Sequence, residues 1–211
     1  MAGSGGLRIA VTAHGFEAAK KQLESLGRKV EPVLRGALDS TAMDVRKRRY
    51  TPDIAKMFKG RSWVNQRIKV KRVNVRKGRF DARLIPSSSG IAVTEYRKWG
   101  YQTITATRAR ILVGSFKGHK VAAGFVNPAS FARQPLATRS SVTRDVKKRG
   151  GQFTYSYGAG TQSGVMPAMG PSVAWFFKRL TNAATIKYTN RKLQNEFAKR
   201  LRKELLKGAA K

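Results

Sequence analysis

Arg46-Lys47-Arg48-Arg49, four consecutive cations with no acid among them, is the residue group in this chain whose chemistry is easiest to name. Guanidinium and ammonium groups neutralise phosphates and release their condensed counterions, an attraction blind to base sequence. The cluster opens a longer basic stretch: from Arg46 to Arg83 there are fifteen Lys and Arg residues against two acids, Asp53 and Asp81. Within it Arg67, Lys69, Lys71, Arg72, Arg76, Lys77 and Arg79 are candidate contacts for DNA or an acidic partner, joined farther on by Lys147, Lys148 and Arg149. Phe58, Trp63 and Phe80 are interleaved with these cations. Rings so placed can stack on the bases of a single strand, but the expectation is that they pack the core.

Other chemistries lack their residues. His14 and His119 sit at turn-like positions far apart, and without cysteine the scattered carboxylates make no zinc or di-metal ligand set. Asp39 and Asp44 are five apart and do not share a helical face, so capping or ion pairing is expected of them. A metal-dependent nuclease needs paired carboxylates to hold its ions. The run from Tyr157 to Gly164 is glycine-rich but lacks the Gly-Lys-Ser/Thr ending of a phosphate loop, and no serine sits in a nucleophile elbow. The expectation is therefore no enzyme, no catalytic residue, no cofactor and no metal. Zinc-finger, ribonucleoprotein-motif and zipper patterns are absent from the sequence; a helix-turn-helix over Asp53 to Arg67 is left open, without support for base-specific readout.

The charge balance has the same sense. Lys and Arg total 44 against 11 acids in 211 residues, a formal net charge of +33. Such a chain repels itself unless a polyanion or counterions screen it. Its length suits one domain, residues 1–211, able to bury roughly 70% of the surface its unfolded form exposes. Without cysteine there is no disulfide framework. No apolar run approaches the ~20 residues that cross a bilayer, and no membrane partner is expected. Met1–Gly6 has neither a basic nor an apolar signal region, which makes the cytoplasm the default expectation for synthesis and residence.

The elements that must position these residues follow from periodicity. Phe16, Leu23, Leu26, Val30, Val33, Leu34, Ala37, Leu38, Ala42 and Val45 recur as one helical stripe. Pro32 divides it, giving helices from Phe16 to about Arg28 and from Pro32 to about Tyr50. Thr51-Pro52-Asp53 signals a new helix start. Ile68 to Val75 reads as a strand with a bulge at Arg72-Val73, Lys77-Gly78 as a turn, and Phe80, Ala82 and Leu84 as the returning strand. Ile91 to Trp99, Arg110 to Ser115 and the alternation through Val121, Ala123 and Phe125 extend a mostly antiparallel sheet. Residues 127–164 fit no compact element and read as a long basic arm or loop, with Phe153, Tyr155 and Tyr157 hinting at a hairpin. Ser172 is placed to cap a helix through Val173, Phe176, Phe177 and Leu180. Leu193, Phe197, Leu201 and Leu205 mark a terminal helix from an Asn190 cap. The fold class expected is α+β: an N-terminal helical pair packed on a mixed, mainly antiparallel sheet, plus a C-terminal helix and the basic insertion.

This order of elements resembles the minor tail protein Z, or tail-completion, family of lambda-like phages and prophages. The resemblance is carried by Gly15-Phe16-Glu17 to Leu26 with the proline-started helix Pro32 to Ala42, by Arg67 to Arg72, by Ala123-Gly124-Phe125-Val126, and by Met166-Pro167-Ala168-Met169-Gly170-Pro171-Ser172-Val173. In the last of these, Gly170, Pro171 and Ser172 look like the family's structural turn before a helix. The insertion at 127–164 departs from the family pattern. The resemblance implies a non-enzymatic virion component at the head-proximal end of the tail, assembled in the host cytoplasm. Its implied partners are other tail or neck proteins (terminator, tube or connector), copies of itself in a ring, and double-stranded DNA held without sequence specificity. The alternative is a cytoplasmic non-specific nucleic-acid-binding protein of ribosomal or nucleoid type; a DNA-processing nuclease is a third class.

Overall fold

The apolar stripe breaks at Pro32, as a residue without a backbone N–H requires. The computed structural model describes residues 7–9, 13–25, 29–74, 81–138, 144–148, 151–155 and 165–209. Helix α1 spans Ala13–Glu24 and α2 spans Glu31–Val45, with Pro32 in the first turn of α2. Leu23, Val30, Val33, Leu34, Ala37, Leu38, Ala42 and Val45 are buried, whereas Lys20, Lys21, Glu24, Lys29 and Arg35 are exposed.

The second helix does not end at Tyr50. It passes into a π-helical turn, Arg46–Tyr50, and then into α3, Thr51–Ala55. The amide of Thr51 donates to the carbonyl of Arg46, five residues back. In a straight α-helix the ring of Pro52 would collide with the carbonyl of Arg48. One widened turn carries the chain past that collision, and Thr51-Pro52 opens α3 directly out of it, with Pro52 in the first turn as the sequence signals.

The contacts group the chain into two compact units, Met1–Ser89 with Ser172–Lys211, and Gly90–Pro171. In the first, α4 (Arg61–Gln66) leads into β2 (Ile68–Lys71), which pairs antiparallel with β3 (Ala82–Pro86); β1 (Leu7–Ile9) pairs with the other edge of β3. The strand expected to reach Val75 stops at Lys71. The Val73 amide donates instead to the Asp39 carboxylate of α2, at 3.0 Å, so the ladder is interrupted at Arg72-Val73, with a single bridge at Asn74 beyond it. The Lys77-Gly78 turn and Phe80 lie outside the described residues.

Two helices complete this unit. In α5 (Val173–Leu180) the Trp175 amide donates to Ser172 Oγ at 3.3 Å, the cap expected from sequence. Replacing Ser172 by alanine should cost about 1 kcal/mol in urea unfolding, and a glycine there only a few tenths. The last helix, α6 (Ala183–Ala209), begins seven residues before the expected cap: Thr185 donates its amide to Asn182 Oδ1 at 3.0 Å, and Asn190 lies exposed inside the helix. Leu193 is buried, and Phe197, Leu201 and Leu205 pack on Ala19, Leu23, Val30 and Val33. Farther along, Tyr50 stacks on Phe177 with centroids 3.9 Å apart, and Phe58 meets Trp63 at 5.2 Å and the edge of Phe176 at 5.4 Å. Thr181 gives its hydroxyl hydrogen to the Phe177 carbonyl, so Tyr50 is the donor in its 3.0 Å bond to Thr181. Burial raises the Tyr50 pKa, opposed in part by that bond and by the charge of Arg49.

The second unit holds a seven-stranded sheet made of β4 (Ile91–Ala92), β5 (Trp99–Thr105), β6 (Arg108–Ser115), β7 (Gly118–Val126), β8 (Leu136–Thr138), β11 (Val165–Pro167) and β12 (Met169–Gly170). A separate pair, β9 (Arg144–Lys148) and β10 (Gly151–Tyr155), carries Phe153 and Tyr155. Every pairing among the described strands is antiparallel. The stretch Ile91–Trp99 is not one strand. After β4 a 3-10 turn, Val93–Glu95, intervenes, and Trp99 opens β5 against β6. Residues 127–164 include β8, a member of the main sheet, so part of the expected arm is built into the fold. The fold class is α+β with a mainly antiparallel sheet.

Candidate nucleic-acid interface

Four successive residues in one helical turn fan around the axis and cannot share a face. The Arg46–Arg49 run divides accordingly. Arg46 turns inward: half-buried, it donates from Nη1 to the Ile68 carbonyl at 3.3 Å, and its Nε is buried without a partner. Lys47 is exposed. Arg48 pairs with Asp44 at 2.9 Å, and Arg49 lies 5.2 Å from the centre of the Tyr188 ring. The Tyr188 hydroxyl donates to the same Asp44 at 2.6 Å. Burial, that bond and the Asp44 charge raise the Tyr188 pKa, while Arg48 and Arg49 lower it. The run expected to act as one cluster is thus a core anchor, a free lysine and two guanidiniums held by local partners.

Strand β2 keeps the period of two. Ile68 is buried and Val70 half-buried, while Lys69 and Lys71 are exposed. Lys71 stands in register with exposed Arg83 on β3, which is ion-paired with buried Asp81. Like charges directly opposite across strands are destabilising. Lysines on an edge strand also deter pairing with a second chain, a structural reason for Lys69 and Lys71 that needs no ligand. Arg67 lies 4.1 Å over the Trp63 ring, and Arg72 reaches the Met43 sulfur at 3.7 Å. Phe58 is fully buried, in keeping with a core role. Helices α3 and α4, five and six residues long, are too short to serve as a helix-turn-helix pair. Arg76, Lys77, Arg79 and Arg149 lie outside the described residues, and Lys147 and Lys148 lie in β9 of the other unit.

A basic strip along α6 was missed from sequence. Along α6 the exposed positions include Lys187, Arg191, Lys199, Arg202, Lys203 and Lys207 and no carboxylate. Glu196 and Glu204 are half-buried and paired, the first with Lys192 and Arg200, the second with Lys207. From Lys187 to Lys207 the helix rises about 30 Å. The signal was present: five of these cations fall on a four-residue step from 187 to 207, broken only at Asn195. That step is the one that marks the Leu193–Leu205 seam, offset by two residues.

Between α2, the π turn, α4 and α6 lies a groove of about 620 Å³ where Arg46 and Lys47 meet Arg61 and Lys192. Arg61 and Lys192 were not among the expected contacts. In the other unit, Gly170 packs against the Tyr96 ring: an added Cβ would stand 2.7 Å from it. The Tyr96 hydroxyl donates to the Pro171 carbonyl, and burial pushes its pKa far above the usual tyrosine range, which keeps it a donor. The Gly170-Pro171-Ser172 turn is therefore held by close packing on one side and opens α5 with its cap on the other. Among the described residues there is no group of three His, Cys, Asp or Glu that could hold a metal, and no helix long and apolar enough to cross a membrane. Comparison of the chain with protein-family models, with curated proteins and with solved structures finds no match.

Proposed function

We propose that this chain is a structural, non-enzymatic protein that contacts double-stranded DNA without reading its sequence. The supporting observation is the exposed strip that winds along α6 and bears six cations and no exposed acid over about 30 Å. At about 40° per four-residue step this strip winds about 200° around α6, so part of it at a time meets a duplex backbone, and its long flexible ammonium and guanidinium groups suit phosphates rather than base edges. Lys69, Lys71 and Arg83 add a second basic surface, where like charges in register gain from a nearby polyanion. The setting is that of the resemblance: a tail-completion or neck component at the head-proximal end of a phage tail, joining terminator, tube or connector proteins as a ring around DNA.

Two measurements test these layers separately. Duplex binding is measured against salt for the wild type and for a variant carrying Lys187→Ala, Arg191→Ala and Lys199→Ala, with two duplexes of unrelated sequence. At about 0.9 per phosphate contact, the log–log salt slope should become shallower by about 2 to 3, equally for both duplexes. An unchanged slope removes α6 from the interface. Purified virions from the producing strain should contain this chain at the neck, and virions complete without it sink the tail reading while leaving DNA contact standing.

A further inference from the structure

The groove where α2, the π turn, α4 and α6 meet contains two acids, and both are already engaged. Asp44 holds Arg48 at 2.9 Å and accepts from Tyr188 at 2.6 Å. Glu196 lies 3.2 Å from Lys192 and 3.8 Å from Arg200. The cations opposite them are not engaged in the same way: among the described residues, Arg46, Lys47 and Arg61 take part in no ion pair. Arg46 is fixed by its bond to the Ile68 carbonyl, and its half-buried side chain lines the groove.

The neutral groups lining the groove are also left as donors. Asn65 accepts from the Thr51 hydroxyl through Oδ1 at 2.7 Å, which leaves its NH2 to give. Ser40 accepts from Arg200 through Oγ at 2.6 Å, which leaves its O–H to give. What remains is three positive charges and two neutral donors around a space of about 620 Å³, a volume of small-ligand size. A carboxylate would use two acceptor oxygens. A tetrahedral oxyanion offers more, carries more charge and suits the fork of an arginine.

We infer that this groove is a binding site for a phosphate-class oxyanion, held by Arg46, Lys47 and Arg61 with Asn65 and Ser40 as hydrogen-bond donors. The site is separate from the basic strip of α6 and does not depend on DNA being bound there. The same chemistry can be supplied by free inorganic phosphate or by the phosphate of a nucleotide.

The test uses the full chain at fixed ionic strength, titrated by calorimetry with inorganic phosphate and with a nucleoside 5′-monophosphate, against chloride. The variants are Lys47→Ala with Arg61→Ala, both at exposed side chains whose loss should leave the fold intact, and Lys29→Ala with Arg35→Ala, also exposed, as a comparator of equal charge change. The expected result is saturable phosphate binding in the wild type and the comparator, weakened at least ten-fold in the groove variant. Tighter binding of the monophosphate than of free phosphate identifies an ester as the natural source, and equal binding identifies the free ion. Absence of saturable binding in the wild type, or equal weakening in groove variant and comparator, overturns the site. Unfolding curves in phosphate-free buffer check that the groove variant is folded, and phosphorus NMR line broadening at matched folded concentration gives a second readout. An unchanged salt slope for DNA in the groove variant keeps this site distinct from the α6 interface.

Discussion

Gly124→Ala should be among the most damaging single changes in this protein, costing more than about 3 kcal/mol or preventing soluble folding. Two independent penalties meet at this residue. Its φ is +127°, a region in which an L side chain typically costs 1 to 3 kcal/mol. An added Cβ would also lie 2.5 Å from the Leu136 carbonyl oxygen and 2.6 Å from Ala168 Cβ, and a backbone atom cannot swing aside. Strand β7 is bonded to β6, β8 and β12, so relief on one side disturbs pairing on another. A graded series isolates the terms. Gly118, at φ +92° with open space around its Cβ, should lose only the backbone term of about 1 to 2 kcal/mol on change to alanine. Gly100 has neither feature and should change by less than about 1 kcal/mol. Urea unfolding of the three variants checks the order. Equal losses at Gly118 and Gly124 would show that close approach contributes nothing.

Phe176→Ala carries the next largest effect, about 3 to 5 kcal/mol, the usual range for removing a fully buried aromatic ring. The ring meets Phe58 edge-on at 5.4 Å and Trp175 at 4.9 Å, contacts that add to burial. The cavity would open under the helix that Ser172 caps, where aromatic neighbours are too large to refill it. Phe176→Leu, which keeps most of the volume, should cost less than half as much. If alanine and leucine give the same shift in urea midpoint at constant slope, the volume leucine retains counts for nothing and the loss belongs to the ring contacts.

The parts of the fold legible in the sequence were those in which one face is buried and the other wet. The Pro32 division and the Ser172 cap follow from single residues with one strong local preference. The errors occurred where a tertiary partner replaced a local one. Val73 leaves its strand because Asp39, thirty-four residues earlier, takes its amide. The 3-10 turn after β4 interrupts an apolar run whose Val93 amide is claimed by the Ala168 carbonyl at 2.9 Å. Nothing in the local pattern announces either bond. For the basic residues, composition gave the charge but not its distribution. Arg46 reads like its neighbours and is an internal anchor, whereas the cations of α6 lie beside an apolar seam that gives the stronger periodic signal.

The π turn gives the length of the Arg46–Arg49 run a meaning apart from charge. Val45 and Tyr50 are both fully buried, five residues apart, and Ile54 follows four later. At about 100° per residue, an uninterrupted α-helix would place Tyr50 about 140° and Ile54 about 180° away from the face Val45 occupies. The additional residue works as a spacer that returns α3 to the phase of α2. How many basic residues stand in the run is therefore set by the rotation the core demands, and shortening it by one would be felt first as a misaligned Tyr50 ring and only afterwards as a missing cation.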